Sequence, residues 1–289
     1  MPSKRAKRHH VVPQILQHQF TDAEGKIWYS ARNDSNRYST PDRRSPKGAF
    51  WIRDYYTVLE DDKLSSIIES DFYGAVDNFL GRTLPKLNTT LRAKSVPNIA
   101  TDTLKDLRDV VFEMAKRTPQ FIPDYEGDES LGNTAIEEVT KLNREVYGDK
   151  EQSQVIGTGF GGQSATAVGR DIRVRATLLP SPKCEEALSE LSLRWVSAPP
   201  RKSFVLSDVI AYRIGNGGPN GLSNPRFELW MPVSPAHCMV WLRDPNNQVS
   251  QLTQLQPSHL RQINEYAARR GSQIASHSRE LVSSLSRQK

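Results

Sequence analysis

Residues 227–242, FELWMPVSPAHCMVWL, contain two short apolar and aromatic runs on either side of a segment with two prolines. Runs of this length and composition are typical of β-strands, and prolines mark the turns between them. We therefore expect strands at Phe227–Met231 and Cys238–Leu242. Three earlier segments have the same character and are separated by turns rich in Pro, Gly and Asn: Leu193–Ser197, Ser203–Leu206 and Val209–Ile214. The pattern predicts a partly antiparallel sheet.

Segments on both sides of this region are predicted to be mainly helical. Asp62–Leu80 carries apolar residues on one stripe at a spacing of three and four, which is typical of an amphipathic helix. We expect further helices from Thr101 to Pro119, at Thr134–Tyr147, and at Pro257–Leu285 with a break at Gly271. Residues 172–178, IRVRATL, alternate between apolar and polar or small residues, which predicts a half-buried strand.

The N-terminal region is mixed. A short helix is expected after Pro13, a strand at Lys26–Ala31, a polar loop over residues 32–48 and an extended segment at Phe50–Leu59. The chain is therefore predicted to be an α+β protein: a small mixed N-terminal unit, a helical middle, a partly antiparallel sheet and a C-terminal helix that packs back. We interpret residues 1–60, 61–150 and 151–289 as three regions of one continuous domain.

Composition excludes several classes of protein. Two cysteines in 289 residues rule out a disulfide scaffold or a cysteine-rich zinc module. No apolar run approaches the 18 residues that a membrane-spanning helix needs, and the basic start is followed by no hydrophobic stretch of the kind found in signal peptides. We expect a soluble, cytoplasmic protein with no membrane partner. The oligomeric state stays open.

Positive charge is concentrated at the two ends of the chain. The formal net charge is +6, and residues 1–53 hold 11 Lys and Arg against 4 Asp and Glu. The last 21 residues carry five bases against one acid. If the two ends meet in space, they form a patch that attracts a polyanion such as nucleic acid, through Lys4, Arg5, Lys7 and Arg8 in particular. The alternative is an ordinary solvated surface.

The pair His9-His10, in the segment RHHVVPQ, is the sharpest local motif. Adjacent side chains of an extended segment point to opposite faces, so the two imidazoles do not readily bind one metal ion together. Histidine suits proton transfer at neutral pH, and the segment resembles the first strand of the ββα-metal (HNH) nucleases. The later histidine that those enzymes need is missing, since no His occurs between His18 and His237. The structural alternative is that His10 bonds a backbone carbonyl and locks the N-terminal turn.

Other polar residues are candidates for the same site. Gln14 lies one helical turn after His10 and would position water or substrate. Arg117 ends a predicted helix, where it either stabilises developing charge or merely complements the helix dipole. Asp208 follows a predicted strand and either holds a divalent cation or caps a turn. The cofactor stays open, with a divalent metal ion as one option. The glycine-rich segment 157–162, GTGFGG, lacks the Lys-Ser/Thr of a phosphate-binding loop and is interpreted as a linker or turn.

Several blocks in a fixed order resemble a bacterial family of unknown function, DUF4238. The blocks are RHHVVPQILQHQFTDAEGKIWYS (8–30), RDYYTV (53–58), SIIE (66–69), AKRTPQF (115–121), SFVLSD (203–208), MPVSP (231–235) and Asn264 of the closing helix. In the family, Asn-Pro follows the Ser-Asp of the fifth block, whereas Val209-Ile210 stand here. The resemblance covers most of the chain and implies no established activity.

These observations lead to two functional hypotheses. The first is a metal-dependent phosphodiester hydrolase, with His9 or His10 as base or metal ligand and with Gln14, Arg117 and Asp208 in one cleft. The second is a non-catalytic module that binds nucleic acid or a protein partner through the basic ends. An effector or toxin-like protein with a different target is a weaker third option.

Overall fold

A computed structural model describes residues 7–61, 63–121, 126–147, 163–179, 181–214 and 221–287. The chain divides into two compact units, each assembled from three separate stretches. Unit 1 comprises residues 1–9, 52–75 and 122–179, and unit 2 comprises residues 10–51, 76–121 and 180–289. The two adjacent histidines therefore belong to different units.

The described residues contain helices and mostly antiparallel strands, which confirms the predicted α+β class. The α-helices are α1 (Gln14–His18), α2 (Tyr73–Arg92), α3 (Thr101–Lys116), α4 (Asp128–Tyr147), α5 (Ala165–Leu178), α6 (Pro182–Ser189), α7 (Pro257–Arg270) and α8 (Arg279–Ser286). The strands are β1 (Arg8–His10), β2 (Ile27–Ala31), β3 (Asp42–Arg44), β4 (Trp51–Arg53), β5 (Val58–Glu60), β6 (Lys63–Ser65), β7 (Leu191–Ser197), β8 (Leu206–Ser207), β9 (Tyr212–Ile214), β10 (Glu228–Pro232), β11 (His237–Arg243), β12 (Leu252–Gln254) and β13 (Gln273–Ser276). No described helix is long and apolar enough to cross a membrane.

The aromatic segment 227–242 contributes strands β10 and β11 to a five-stranded sheet in unit 2. The strand order is β12-β7-β11-β10-β9. Neighbouring strands run antiparallel, except that β12 is parallel to β7. Trp230 pairs with Val240 across the predicted hairpin, and Trp195 pairs with Met239. Trp195 and Trp241 are buried, as expected for aromatic residues on central strands.

A second, four-stranded antiparallel sheet in unit 2 has the order β3-β2-β13-β8. Its strand β13 lies where the sequence predicts a break in the closing helix. A side chain at Gly271 would place its Cβ 2.1 Å from the Ser207 hydroxyl and 2.5 Å from an oxygen of Asp208. Only glycine lets the chain pass this close after α7, because it has no Cβ. The fully buried residues Ile274 and Ala275 then anchor the strand in the core.

Unit 1 is built around a close crossing of α4 and α5. A Cβ at Gly132 would lie 1.8 Å from the carbonyl oxygen of Ala165, and one at Gly169 would lie 1.8 Å from that of Asp128. The two glycines let the helix backbones touch. The Arg173 guanidinium bonds the Asp128 carboxylate at 2.8 Å and ties the crossing together.

The structure corrects three predictions of secondary structure. Residues 172–178 are the second half of helix α5, so the predicted strand is wrong. The Ser164 hydroxyl caps the start of this helix, and the small residues Ala167, Val168 and Gly169 are buried in its first half. The predicted helix Asp62–Leu80 begins later, because residues 63–65 form β6 and a π-turn at Ile68–Phe72 precedes α2. The polar loop 32–48 contains strand β3. The glycine-rich segment 157–162 lies outside the described residues.

Candidate functional site

His9 is part of unit 1 and is completely buried there. Its ring stacks on Tyr56, with the ring centroids 5.8 Å apart and the planes 5° from parallel. The Nδ1 atom of His9 accepts a hydrogen bond of 2.7 Å from the backbone N–H of Tyr56. This bond occupies the lone pair of Nδ1 and places the ring proton of the neutral form on Nε2. His9 therefore anchors the residues that follow β4, and its environment gives no opening for a substrate.

His10 is part of unit 2 and is partly exposed as a residue, although the Nε2 atom of its ring is buried. Gln14 begins α1 directly after Pro13, whose fixed φ suits the start of a helix. The amide nitrogen Nε2 of Gln14 consequently lies 3.5 Å from Nδ1 of His10. The structure thus brings these two predicted site residues together at the spacing that the sequence suggests.

Arg117 holds the backbone beside His10. It is fully buried, and its Nη2 atom donates to the carbonyl oxygen of His10 at 2.5 Å. Its Nη1 atom donates to a carboxylate oxygen of Asp77 at 2.7 Å. The backbone N–H of Arg117 donates to the backbone carbonyl oxygen of Glu113 near the end of α3. The guanidinium therefore links α2 and β1 by charged hydrogen bonds, and the backbone of Arg117 continues from α3. The sequence patterns did not identify Asp77 as the partner of Arg117. An acidic residue beside the apolar residues of α2 is nevertheless a recognisable signal for a buried basic partner.

Asp208 closes the turn between α7 and β13. Its carboxylate is buried and accepts the backbone N–H groups of Ser272, at 2.9 Å, and Gln273, at 3.2 Å. Burial raises the pKa of Asp208 to about 6, against the lowering effect of these donors and of the Ser207 hydroxyl. Because backbone donors engage its oxygens, the carboxylate is poorly arranged to ligate a cation. Its visible role is to fix the start of β13.

Asn264, on α7, acts in a similar way. Its Oδ1 atom accepts the N–H of Val205 at 3.0 Å, and its Nδ2 atom donates to the carbonyl oxygen of Ser203 at 2.8 Å. These two hydrogen bonds hold residues 203–205, just before β8, against helix α7.

A short chain of contacts connects the Arg117 block with the turn that Asp208 holds. The Thr118 hydroxyl donates to the side-chain oxygen of Gln120 at 2.5 Å. The Nε2 atom of Gln120 then donates to the hydroxyl of Ser272 at 2.8 Å. Arg117 and Asp208 thus belong to one unit and are connected through the side chains of Thr118, Gln120 and Ser272, whereas His9 belongs to the other unit. Within the described ranges no cluster of three or more His, Cys, Asp or Glu is arranged to hold a metal ion.

The basic residues form a groove in unit 2 that the individual motifs did not identify. We call it the arginine groove; its volume is about 740 Å³, and it is lined by Arg32, Ser35, Asn36, Arg37, Tyr38, Ala268, Arg269, Leu285, Ser286 and Arg287. It lies where the turn after β2 meets the C-terminal ends of α7 and α8. Arg32 and Arg37, from the basic first 53 residues, therefore meet Arg269 and Arg287 of the last 21 residues. Lys4 and Arg5 fall outside the described residues, and Lys7 and Arg8 are exposed.

The four arginines of the groove have different surroundings. Arg32 donates to the carbonyl oxygens of Gly271, at 3.0 Å, and Ala268, at 3.1 Å, and so caps the end of α7. Arg37, Arg269 and Arg287 are exposed and form no ion pair with any carboxylate in the part of the chain that the structure describes. The described lining includes neither Asp nor Glu.

Residues 8–284 match the model of a family described as a protein of unknown function (DUF4238). The chain belongs to this family. The match confirms the resemblance carried by the sequence blocks; Lys4, Arg5, Lys7, Leu285, Ser286 and Arg287 lie outside the matched residues. No curated protein and no solved structure matches this DUF4238 chain.

Proposed function

We propose that this protein binds a polyanion, specifically the phosphate backbone of a nucleic acid, through the arginine groove. The observation that supports the proposal is the concentration of four arginines in a groove whose described lining contains no acid. Arginine suits this role because its planar guanidinium bonds phosphate oxygens in pairs and stays charged at every relevant pH.

The local charge balance favours an anion. The C-terminal ends of α7 and α8 each contribute about half a negative charge to the groove. Four guanidinium groups outweigh these dipoles by about three charges. The capping bonds of Arg32 hold one wall in place, and three arginines remain for phosphate contacts.

Salt dependence provides a direct test. Binding of fluorescein-labelled single-stranded DNA and RNA is measured by anisotropy between 50 and 300 mM KCl. Three phosphate contacts predict that the slope of log K against log salt contains a contribution of about −2 from the groove. The triple variant R37Q/R269Q/R287Q is expected to lose this contribution. The variant R82Q/R92Q/R226Q removes the same charge from exposed positions outside the groove and is the control.

Two outcomes contradict the proposal. One is the absence of binding to either nucleic acid at 50 mM KCl. The other is an equal change of slope in the groove variant and in the control, which would mean that only the total charge matters. A further variant, K4Q/R5Q/K7Q/R8Q, tests whether the basic N-terminal residues add contacts of their own.

A second candidate function is hydrolysis of the bound phosphodiester with His10 as general base. The contact of its Nδ1 atom with Gln14 supports this candidate, because such a contact orients the imidazole. Labelled DNA and RNA are incubated with Mg²⁺, with Mn²⁺ or with EDTA, using the native protein and His10→Ala. Cleavage that requires the metal and disappears in His10→Ala would support hydrolysis. Binding without turnover under all conditions would exclude it.

A further inference from the structure

A second cavity in unit 2 shares no lining residue with the arginine groove. Its volume is about 540 Å³, within the range of 300–1,000 Å³ that is typical of small-molecule sites. Its elements are the end of α3, the start of α6, strand β9 and the end of α7. Most of its wall is apolar: Phe112, Phe121, Val209, Leu222, Phe227 and Leu229.

The charged groups of this cavity all have the same sign. Lys183, Arg213 and Arg270 line it and are exposed. No Asp or Glu contributes to the part of the lining that the structure describes. A ligand that matches this arrangement has an apolar body and an anionic head.

We propose that this cavity binds a medium-chain carboxylate, with the alkyl chain against the phenylalanines and the carboxylate near the basic rim formed by Lys183, Arg213 and Arg270. The proposal does not depend on nucleic-acid binding at the arginine groove. It follows from one apolar cavity whose described charged lining residues are all cationic.

The probe for the test is decanoate, used below its micelle concentration. Displacement of a dansyl-labelled fatty acid and the shift of the melting temperature report binding by the full-length protein. Decan-1-ol has the same chain without the charge, and butyrate has the charge without the chain. We expect decanoate to bind at least tenfold more tightly than either of them. Only decanoate has both an alkyl chain that packs against the apolar wall and a carboxylate that pairs with the basic rim.

The double variant R213Q/R270Q is the most informative variant. It is expected to weaken the binding of decanoate but to leave the binding of decan-1-ol unchanged, because it removes two cations of the rim and leaves the apolar wall intact. R82Q/R92Q is the matched control.

Cysteine labelling locates the bound molecule. Cys184 lines the cavity and is partly exposed, whereas Cys238 is buried. Bound decanoate is expected to slow alkylation of Cys184 by iodoacetamide at least fivefold. Equal binding of decanoate and decan-1-ol, or an unchanged affinity for decanoate in R213Q/R270Q, would overturn the proposal. Absence of decanoate binding, or binding without protection of Cys184, would overturn it as well.

Discussion

The carboxyl group of Asp208 is predicted to make the protein less stable as the pH rises. Burial raises its pKa from 3.8 to about 6, which means that the folded protein favours the neutral acid. The resulting stabilisation is complete below pH 3.8 and is lost as the pH rises through 6. At 1.36 kcal/mol per pH unit, the full effect is about 3 kcal/mol. Between pH 5.0 and 7.5 the expected loss is about 1.4 kcal/mol.

The variant Asp208→Asn isolates this effect from all other titrating groups. Its amide oxygen still accepts the N–H groups of Ser272 and Gln273, but it carries no titratable proton. The free energy of unfolding is measured for both proteins by urea denaturation with tryptophan fluorescence at pH 5.0, 6.0 and 7.5. The difference, variant minus native, is expected to increase by about 1.4 kcal/mol from pH 5.0 to 7.5.

A constant difference would refute the reasoning. It would mean that the hydrogen bonds from the backbone N–H groups lower the pKa of Asp208 as much as burial raises it. A difference that decreases with pH would mean that these donors hold the carboxylate ionised and lower its pKa. Either result would also remove Asp208 as a group that titrates near neutral pH.

Three further predictions concern stability and can be checked by urea unfolding or thermal melting. His9→Ala is expected to lose about 2–4 kcal/mol, because the Tyr56 N–H loses its acceptor and a stacked ring leaves a cavity; His10→Ala, at a partly exposed position, is expected to change stability by less than about 1 kcal/mol. Equal losses would contradict the different environments of the two rings. Arg117→Ala is expected to cost about 2–4 kcal/mol, because it removes a large buried side chain and its hydrogen bond to the His10 carbonyl, whereas Asp77 is partly exposed and is left in contact with solvent; a loss below about 1 kcal/mol would argue against a structural role of the guanidinium. Gly132→Ala and Gly169→Ala are each expected to cost at least about 2 kcal/mol, because the helices of unit 1 must move apart; a neutral result would mean that the crossing is looser.

The sequence predicted the strands of the five-stranded sheet best. The runs that end at Ser197, Met231 and Leu242 have structural counterparts in β7, β10 and β11, within two residues at each end. Their aromatic and β-branched residues are buried on central strands, so local composition and tertiary environment agree. The strand predicted at Ile172–Leu178 failed because a window of seven residues does not distinguish alternation from one face of a helix. Strand β13 was hidden for another reason: four residues between two helices carry no periodic signal, and only long-range packing makes them a strand.

The candidate site was only partly predictable. The opposite orientation of His9 and His10 follows from the geometry of an extended segment, and the two rings do lie in different environments. The contact of His10 with Gln14 follows from their spacing. The partnership of Arg117 with Asp77 depends on the packing of α2 against α3, which no local pattern contains. The arginine groove likewise required knowledge of which basic segments meet.

Four polar residues of the family blocks share one behaviour in the structure: each bonds main-chain groups. His9 accepts a backbone N–H, Arg117 donates to a backbone carbonyl, Asp208 accepts two backbone N–H groups, and Asn264 bonds one N–H and one carbonyl. Buried backbone groups without regular secondary-structure partners need such side chains. Substitution of these residues is therefore expected to report on folding first. Tests of function should begin with surface residues such as Arg37, Arg269 and Arg287 of the arginine groove, which are exposed and are engaged in no described ion pair.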